Sequence, residues 1–187
     1  MREIMKLGAK LLIISLVAGL ALGVTNAVTQ GPIAEQRIAE ANAARQKVLA
    51  EAVNFEAVEA VPEGIDEMHK GLDASGALVG ATGKVTVTGY GGPIEVTVGV
   101  GLDGSITGVN VGGADFAETA GLGAKTKEAA FTDRYTGLDS TDSASIAVKQ
   151  DGGTIDAVSS ATISSRAVSG GVQTVCAALQ EILTEGN

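Results

Sequence analysis

Val85-Thr86-Val87-Thr88-Gly89-Tyr90-Gly91-Gly92-Pro93-Ile94-Glu95-Val96-Thr97-Val98-Gly99-Val100 decides the fold class of this 187-residue chain. Apolar and polar residues alternate with period two on both sides of a Gly-Gly-Pro turn, the pattern of two antiparallel strands in a hairpin. The alternation begins as early as Ala77 and resumes after Leu102-Asp103-Gly104 in Ser105-Ile106-Thr107-Gly108-Val109-Asn110-Val111. A small antiparallel sheet is therefore predicted from 77 to 111. A further strand pair is expected at Ser145 to Val148 and Thr154 to Val158, joined through Asp151-Gly152-Gly153.

Helices flank these strands. Val168, Val172, Val175, Cys176, Leu179 and Ile182 recur near i, i+4 and i+7 spacing, so a closing helix from about Ser164 to Leu183 can lay an apolar stripe on the sheet. A short helix is predicted over Thr126 to Tyr135, and Asn54 to Ser75, with Pro62-Glu63-Gly64 and several acids, reads as an irregular connection. Strands packed with helices in this arrangement make an α+β domain.

The N-terminal part has a different character. No charged residue occurs from Leu11 to Ala34, and the most apolar part runs from Leu11 to Val28. About 20 such residues in a helix cross the hydrocarbon core. Arg2, Lys6 and Lys10 precede the run and the next basic residue is Arg37, which places the N-terminus in the cytoplasm and the rest outside. A cleavable signal peptide ending near Thr25-Asn26-Ala27 is the rival reading. Ile33 to Val53 reads as a helical stalk. The expected organisation is a cytoplasmic N-terminus at 1–10, a transmembrane helix at 11–30, a stalk and connection at 31–75, and a folded domain at 76–187.

Composition narrows the chemistry. Apolar residues make up 45% but aromatics only 3%, with no Trp, so the core must come from Val, Ala, Ile and Leu. A net charge of -9 argues against a nucleic-acid partner, which needs clustered cations. The single cysteine, Cys176, excludes an intrachain disulfide and a Cys-rich metal site. His69 has no second ligand at helical spacing and is expected as a solvated loop histidine, so no metal site is assigned. No acid–base pair or nucleophile constellation stands out, and no catalytic residue is assigned.

Two segments remain as candidate sites. Gly121-Leu122-Gly123-Ala124-Lys125-Thr126 matches neither nucleotide loop, because Ala124 stands where a Walker loop needs Gly and Thr126 where the dinucleotide fingerprint needs its third Gly. It remains either a glycine turn or a place where backbone approaches a flat ligand beside Glu118 and Thr119. Asp156-Ala157-Val158-Ser159-Ser160-Ala161-Thr162-Ile163-Ser164-Ser165 is a hydroxyl-rich turn before the closing helix. Its Ser164 or Ser165 would cap that helix, and the free N–H groups there make a phosphate site.

Taken in order, the N-terminal span, Gly89-Tyr90-Gly91-Gly92-Pro93-Ile94, Glu118-Thr119-Ala120-Gly121-Leu122-Gly123 and the 156–165 segment resemble the G subunit of the Rnf ion-translocating electron transport complex. The C subunit of the sodium-pumping NADH:quinone oxidoreductase is the near neighbour. The resemblance implies FMN joined by a phosphoester to Thr162, installed by a magnesium-dependent flavin transferase that uses FAD and recognises Asp156, Ser159 and Ala161. It implies Glu118, Thr119, Leu122 and Gly123 against the isoalloxazine, with Ser159, Ala161 and Ser164 also at the flavin. Ser160 stands where the family has Gly, and Ala120 where it has Pro.

The implied function is a single-pass inner-membrane electron carrier, its FMN domain on the outer or periplasmic face, working with other subunits of an Rnf-type complex between ferredoxin and NAD while sodium ions or protons are moved. The alternatives are the equivalent quinone-reductase subunit and a cofactor-free anchored binding module in which both glycine segments are only turns.

Overall fold

The computed structural model describes residues 2–185. By packing, the chain divides after Ala41, one compact unit ending there and the other beginning at Asn42. The described residues of the first unit are helical throughout. They belong to α1 (Arg2–Val48), which contains a window long and apolar enough to cross a membrane, none of it buried in protein.

The second unit is an α+β domain. Its sheet is a five-stranded antiparallel meander in the order β1 (Asn54–Ala57), β2 (Glu67–Leu72), β3 (Leu78–Thr88), β4 (Pro93–Gly101) and β5 (Ile106–Gly112). The hairpin read from the sequence is β3–β4, with Val85 opposite Val96, Val87 opposite Ile94 and Thr88 opposite Pro93. Central β4 supplies Ile94, Val96, Val98 and Val100 to the core, all fully buried, as a strand covered on both sides must. Onto one face packs α4 (Thr162–Glu185) through Val168, Val172, Val175 and Leu179, the predicted stripe.

The segment from Asn54 to Ser75, expected as irregular, carries β1 and β2. Glu67-Met68-His69-Lys70-Gly71-Leu72 has weak strand propensity, and its pairing with β3 from Glu67 opposite Lys84 to Gly71 opposite Gly80 imposes the conformation. The expected strand pair at 145–158 does not form. In its place are a helical turn, α3 (Ser143–Ile146), whose cap Asp142 accepts from the Ser145 N–H, a 3₁₀ turn (Lys149–Asp151), and a single parallel bridge between Val148 and Ile155. The local Asp142 cap outcompetes a ladder. The Thr126 to Tyr135 helix is broken into a 3₁₀ turn (Gly123–Lys127), α2 (Ala129–Thr132) and a second 3₁₀ turn (Asp133–Tyr135).

The second sheet face is covered by the end of α1, which stops at Val48 rather than Val53. Val48, Leu49 and Ala52 are each 1% exposed. Gly99 and Gly108 make room for them. A Cβ on Gly99 would overlap the Val48 carbonyl oxygen and come within 2.7 Å of Thr107 Oγ1, and one on Gly108 would lie 3.1 Å from Val48 Cα. The Val48 carbonyl accepts a 2.5 Å hydrogen bond from Thr107 Oγ1. Around this seat, Arg45 pairs with Glu67 at 2.8 Å, and Lys84 bridges Glu67 at 3.0 Å and Glu95 at 3.6 Å.

His69 lies in this region, half-buried on β2 rather than solvated in a loop. Burial pushes its imidazole below the ordinary 6.5, and the Arg45 and Lys84 cations push the same way against the opposing Glu67 carboxylate. The folded chain thus binds this proton less tightly than the unfolded one. The stability linked to His69 is complete above 6.5 and is lost as pH falls through the folded value. Melting temperature is expected to decline between pH 7 and 5.5, and a Tm–pH series on His69→Gln should be flatter across that window.

Candidate functional site

The closing helix starts at Thr162, earlier than the expected Ser164 or Ser165 cap. Those two serines hold the turn from within the first helical turn. Ser165 Oγ accepts from the Val158 N–H at 3.0 Å and donates to the Ala161 carbonyl at 3.0 Å, while Ser164 Oγ donates to Glu118 Oε2 at 2.8 Å. Both are buried. The Thr162 side chain is half-buried, and among the described residues no hydrogen bond engages its hydroxyl.

The turn before it is held from below and strained at its tip. Lys149 Nζ pairs with Asp156 at 2.8 Å, Arg134 Nη1 donates to the Asp156 carbonyl, and Arg166 forks onto Asp151 at 2.6 and 2.7 Å. The Lys149 hydrogen bond and charge, with Arg134 beyond, hold the Asp156 carboxyl below its ordinary range. Ser160 has φ 62°, the one positive φ at a non-glycine among the described residues. An L-residue there costs about 1–2 kcal/mol. Ser160→Gly should relieve that strain against a smaller loss from greater unfolded-state freedom, raising stability by up to about 1 kcal/mol and Tm by about 2–4 °C in a thermal melt.

Thr162 looks into a cleft of about 430 Å³, within the range of about 300–1,000 Å³ usual for cofactor sites. Its wall combines the start of α4, the 118–123 segment and the β3–β4 turn. Of the residues expected at a flavin, Glu118, Thr119, Leu122, Gly123, Ala161, Thr162 and Ser164 line it. Ser159 and Asp156 do not; both are exposed on the turn beside it. Three lining residues were not on the expected list of contacts: Tyr90, Ser160 and Ile163. Tyr90 sits within the glycine-rich hairpin motif, and in a chain with 3% aromatics an aromatic in a turn was the available signal.

The cleft rim is apolar. Tyr90 is 72% exposed, Ile163 55% and Leu122 40%, so folding alone buries little of them. They offer flat and aliphatic surface of the kind on which a planar ring packs, and the helix N-terminus offers N–H groups and a positive dipole end of the kind that binds an anion. Elsewhere, Tyr135 is buried in the core, its hydroxyl 2.8 Å from Ser169 Oγ, and burial raises it to about 12. Burial likewise pushes the Cys176 thiol up to about 12, which leaves it unreactive. Among the described residues no three or more of His, Cys, Asp and Glu come together as a metal site would need.

Comparison with known proteins accounts for this arrangement. Residues 89–177 match the FMN-binding domain family, a stretch that begins at the β3–β4 turn and contains every residue lining the cleft. The G subunit of the Na(+)-translocating ferredoxin:NAD(+) oxidoreductase complex of Acetobacterium woodii is 36% identical over 188 residues, covering 91% of this chain and 89% of that one. The chain belongs to the family of G subunits of ion-translocating oxidoreductase complexes. The corresponding G subunit of Methanosarcina acetivorans is 33% identical over 173 residues, covering 89% of each chain. Among solved structures, NqrC of Shewanella oneidensis shares the fold, with TM-score 0.51, 22% identity, and coverage of 74% of this chain and 72% of that one. The similarity to the Acetobacterium woodii subunit spans more of the chain than the cleft domain alone.

Proposed function

We propose that this chain is a membrane-anchored electron carrier holding FMN as a phosphoester on Thr162, in an ion-translocating complex that works between ferredoxin and NAD. The observation that carries the reading is the Thr162 hydroxyl, unengaged among the described residues at the N-terminus of a 24-residue helix and opening on a cleft of cofactor size. When bound, FMN supplies one-electron chemistry; the protein supplies position and surroundings.

The residues present fit the group. The first turn of α4 aims N–H groups and the positive end of the helix dipole at the place where a phosphoryl group on Thr162 would carry negative charge. Tyr90, Leu122 and Ile163 give a planar ring an apolar bed, and Thr119 offers a hydroxyl to its polar edge. An unactivated threonine is a weak nucleophile, and the carboxylate of the cleft wall, Glu118, is taken up by other donors, so attachment requires a separate transferase. With FAD as donor, the bond from Thr162 Oγ1 to the FMN phosphorus forms, the pyrophosphate bond breaks, AMP leaves and the hydroxyl proton is released. Asp156 and Ser159, exposed outside the cleft, are open to that enzyme, while Ala161 is buried.

Arg2, Lys6 and Lys10 keep the N-terminus in the cytoplasm, α1 crosses the membrane once, and the cleft domain faces outward. The test is the intact mass of the purified chain with peptide mapping. One FMN less water on the Thr162 peptide is expected; an unmodified mass, with yellow colour released to the supernatant on acid precipitation, overturns covalent attachment.

A further inference from the structure

Among the described residues Glu118 is the one charged side chain on the cleft wall, and it is only 9% exposed. Its carboxylate turns into the protein. Oε1 accepts from the backbone N–H groups of Tyr90 at 2.7 Å and Gly91 at 3.0 Å, and Oε2 accepts from Ser164 Oγ at 2.8 Å. The neighbouring glycines are shaped around it: a Cβ on Gly89 would overlap Oε1, and one on Gly123 would overlap Oε2. One side chain therefore fills the junction of three segments that make the cleft, namely the β3–β4 turn with Tyr90, the 3₁₀ turn that opens at Gly123, and the first turn of α4 with Thr162. Hydrogen bonds to an ionised carboxylate are about twice as strong as neutral ones, and orphaning buried donors is costly.

We propose that Glu118 is the positioning residue of this site: a buried carboxylate that clamps the Tyr90 turn to the Thr162 end of α4, and whose fixed negative charge holds the potential of a flavin in the cleft low. The second half rests on the FMN reading; the first does not. The clamp sets the separation between the aromatic rim and the attachment hydroxyl, which the strands and helix alone leave to two turns. The charge acts because a negative group in a partly desolvated wall opposes added electron density beside it.

Full-length wild type, Glu118→Gln and Glu118→Ala, purified in detergent, separate the two halves. Glutamine keeps an oxygen acceptor for the Tyr90 and Gly91 N–H groups and can donate to Ser164 Oγ, but carries no charge. Hydrogen exchange at the Tyr90 and Gly91 amides reads the clamp without any flavin. It should quicken at least tenfold in Glu118→Ala and much less in Glu118→Gln, whose neutral oxygen keeps weaker bonds to the same amides. Spectroelectrochemistry of bound FMN reads the charge. Glu118→Gln should favour the reduced flavin about tenfold at a given potential, a rise of about 59 mV for one electron.

Unchanged exchange in Glu118→Ala, or lost protection in Glu118→Gln, overturns the clamp. An unchanged or lowered potential in Glu118→Gln with protection intact overturns the electrostatic role, and that variant decides both points where the alanine variant does not fold. A wild-type chain whose mass and spectrum show no FMN refutes the flavin reading and the charge role with it, while amide exchange still decides the clamp.

Discussion

Thr162→Ala is expected to give a folded chain with no covalent FMN. The loss should be complete, because the two other hydroxyls in the first turn of α4 are already committed. Ser164 Oγ is bound to Glu118 and Ser165 Oγ to the turn backbone, and their residues are 1% and 0% exposed. Transfer to either would require breaking a buried hydrogen bond and opening the start of α4. The fold should tolerate the change. Thr162 is half-buried in the first turn, alanine is the better helix former, and the cost should stay within about 1 kcal/mol, or about 2–4 °C in Tm. Intact mass and a Tm measurement together make the check. A retained FMN mass would move the attachment to an exposed hydroxyl of the same turn, with Ser159 and Ser160 the first peptides to map.

Gly99→Val is expected to be strongly damaging, although it adds only an aliphatic side chain to a strand that favours one. Gly99 lies under the end of α1, where a Cβ overlaps the Val48 carbonyl oxygen and crowds Val48 C at 2.8 Å. The atoms in the way are backbone and cannot swing aside, so the helix end must lift. Lifting it exposes Val48, Leu49 and Ala52, and breaks the Thr107 to Val48 hydrogen bond. Burial of a Val or Leu side chain is worth about 1.5–3 kcal/mol each, so a loss of about 3–5 kcal/mol follows, a large share of the roughly 5–15 kcal/mol that holds an ordinary domain together. Urea unfolding of the full chain in detergent should show a lower midpoint, with early proteolysis between residues 42 and 53. A midpoint equal to wild type would mean the helix end is not part of the core.

The parts of the fold legible in the sequence are those in which local pattern and tertiary packing agree. The β3–β4 hairpin shows period-two alternation around Gly-Gly-Pro because its strands turn branched apolar side chains to α4 and smaller or more polar residues to the other face, and α4 shows an apolar stripe because one side of it is buried. β1 and β2 were illegible because their residues have little strand preference and acquire it by pairing with β3. The 145–158 segment misled in the opposite sense. Ser-Ile-Ala-Val and Thr-Ile-Asp-Ala-Val look like strands, but the Asp142 cap and the 3₁₀ turn at Lys149–Asp151 satisfy the backbone locally and leave only one bridge.

The candidate site divides in the same way. From the sequence alone came the three motifs, the hydroxyl at Thr162 and the oddity of Ser160, because residue type and order along the chain carry them. Ser160 could be named as a departure, yet its φ of 62° is a property of the folded turn. Only the tertiary structure decided that Thr162, unlike Ser164 and Ser165, stays unengaged, that Tyr90 reaches the same cleft, and that Glu118 faces inward to Tyr90, Gly91 and Ser164 across 28, 27 and 46 positions of sequence. The reason is physical: a side chain's chemistry is written in its own residue, but its hydrogen-bond partners and exposure depend on which distant segments packing brings beside it, and no local period records that.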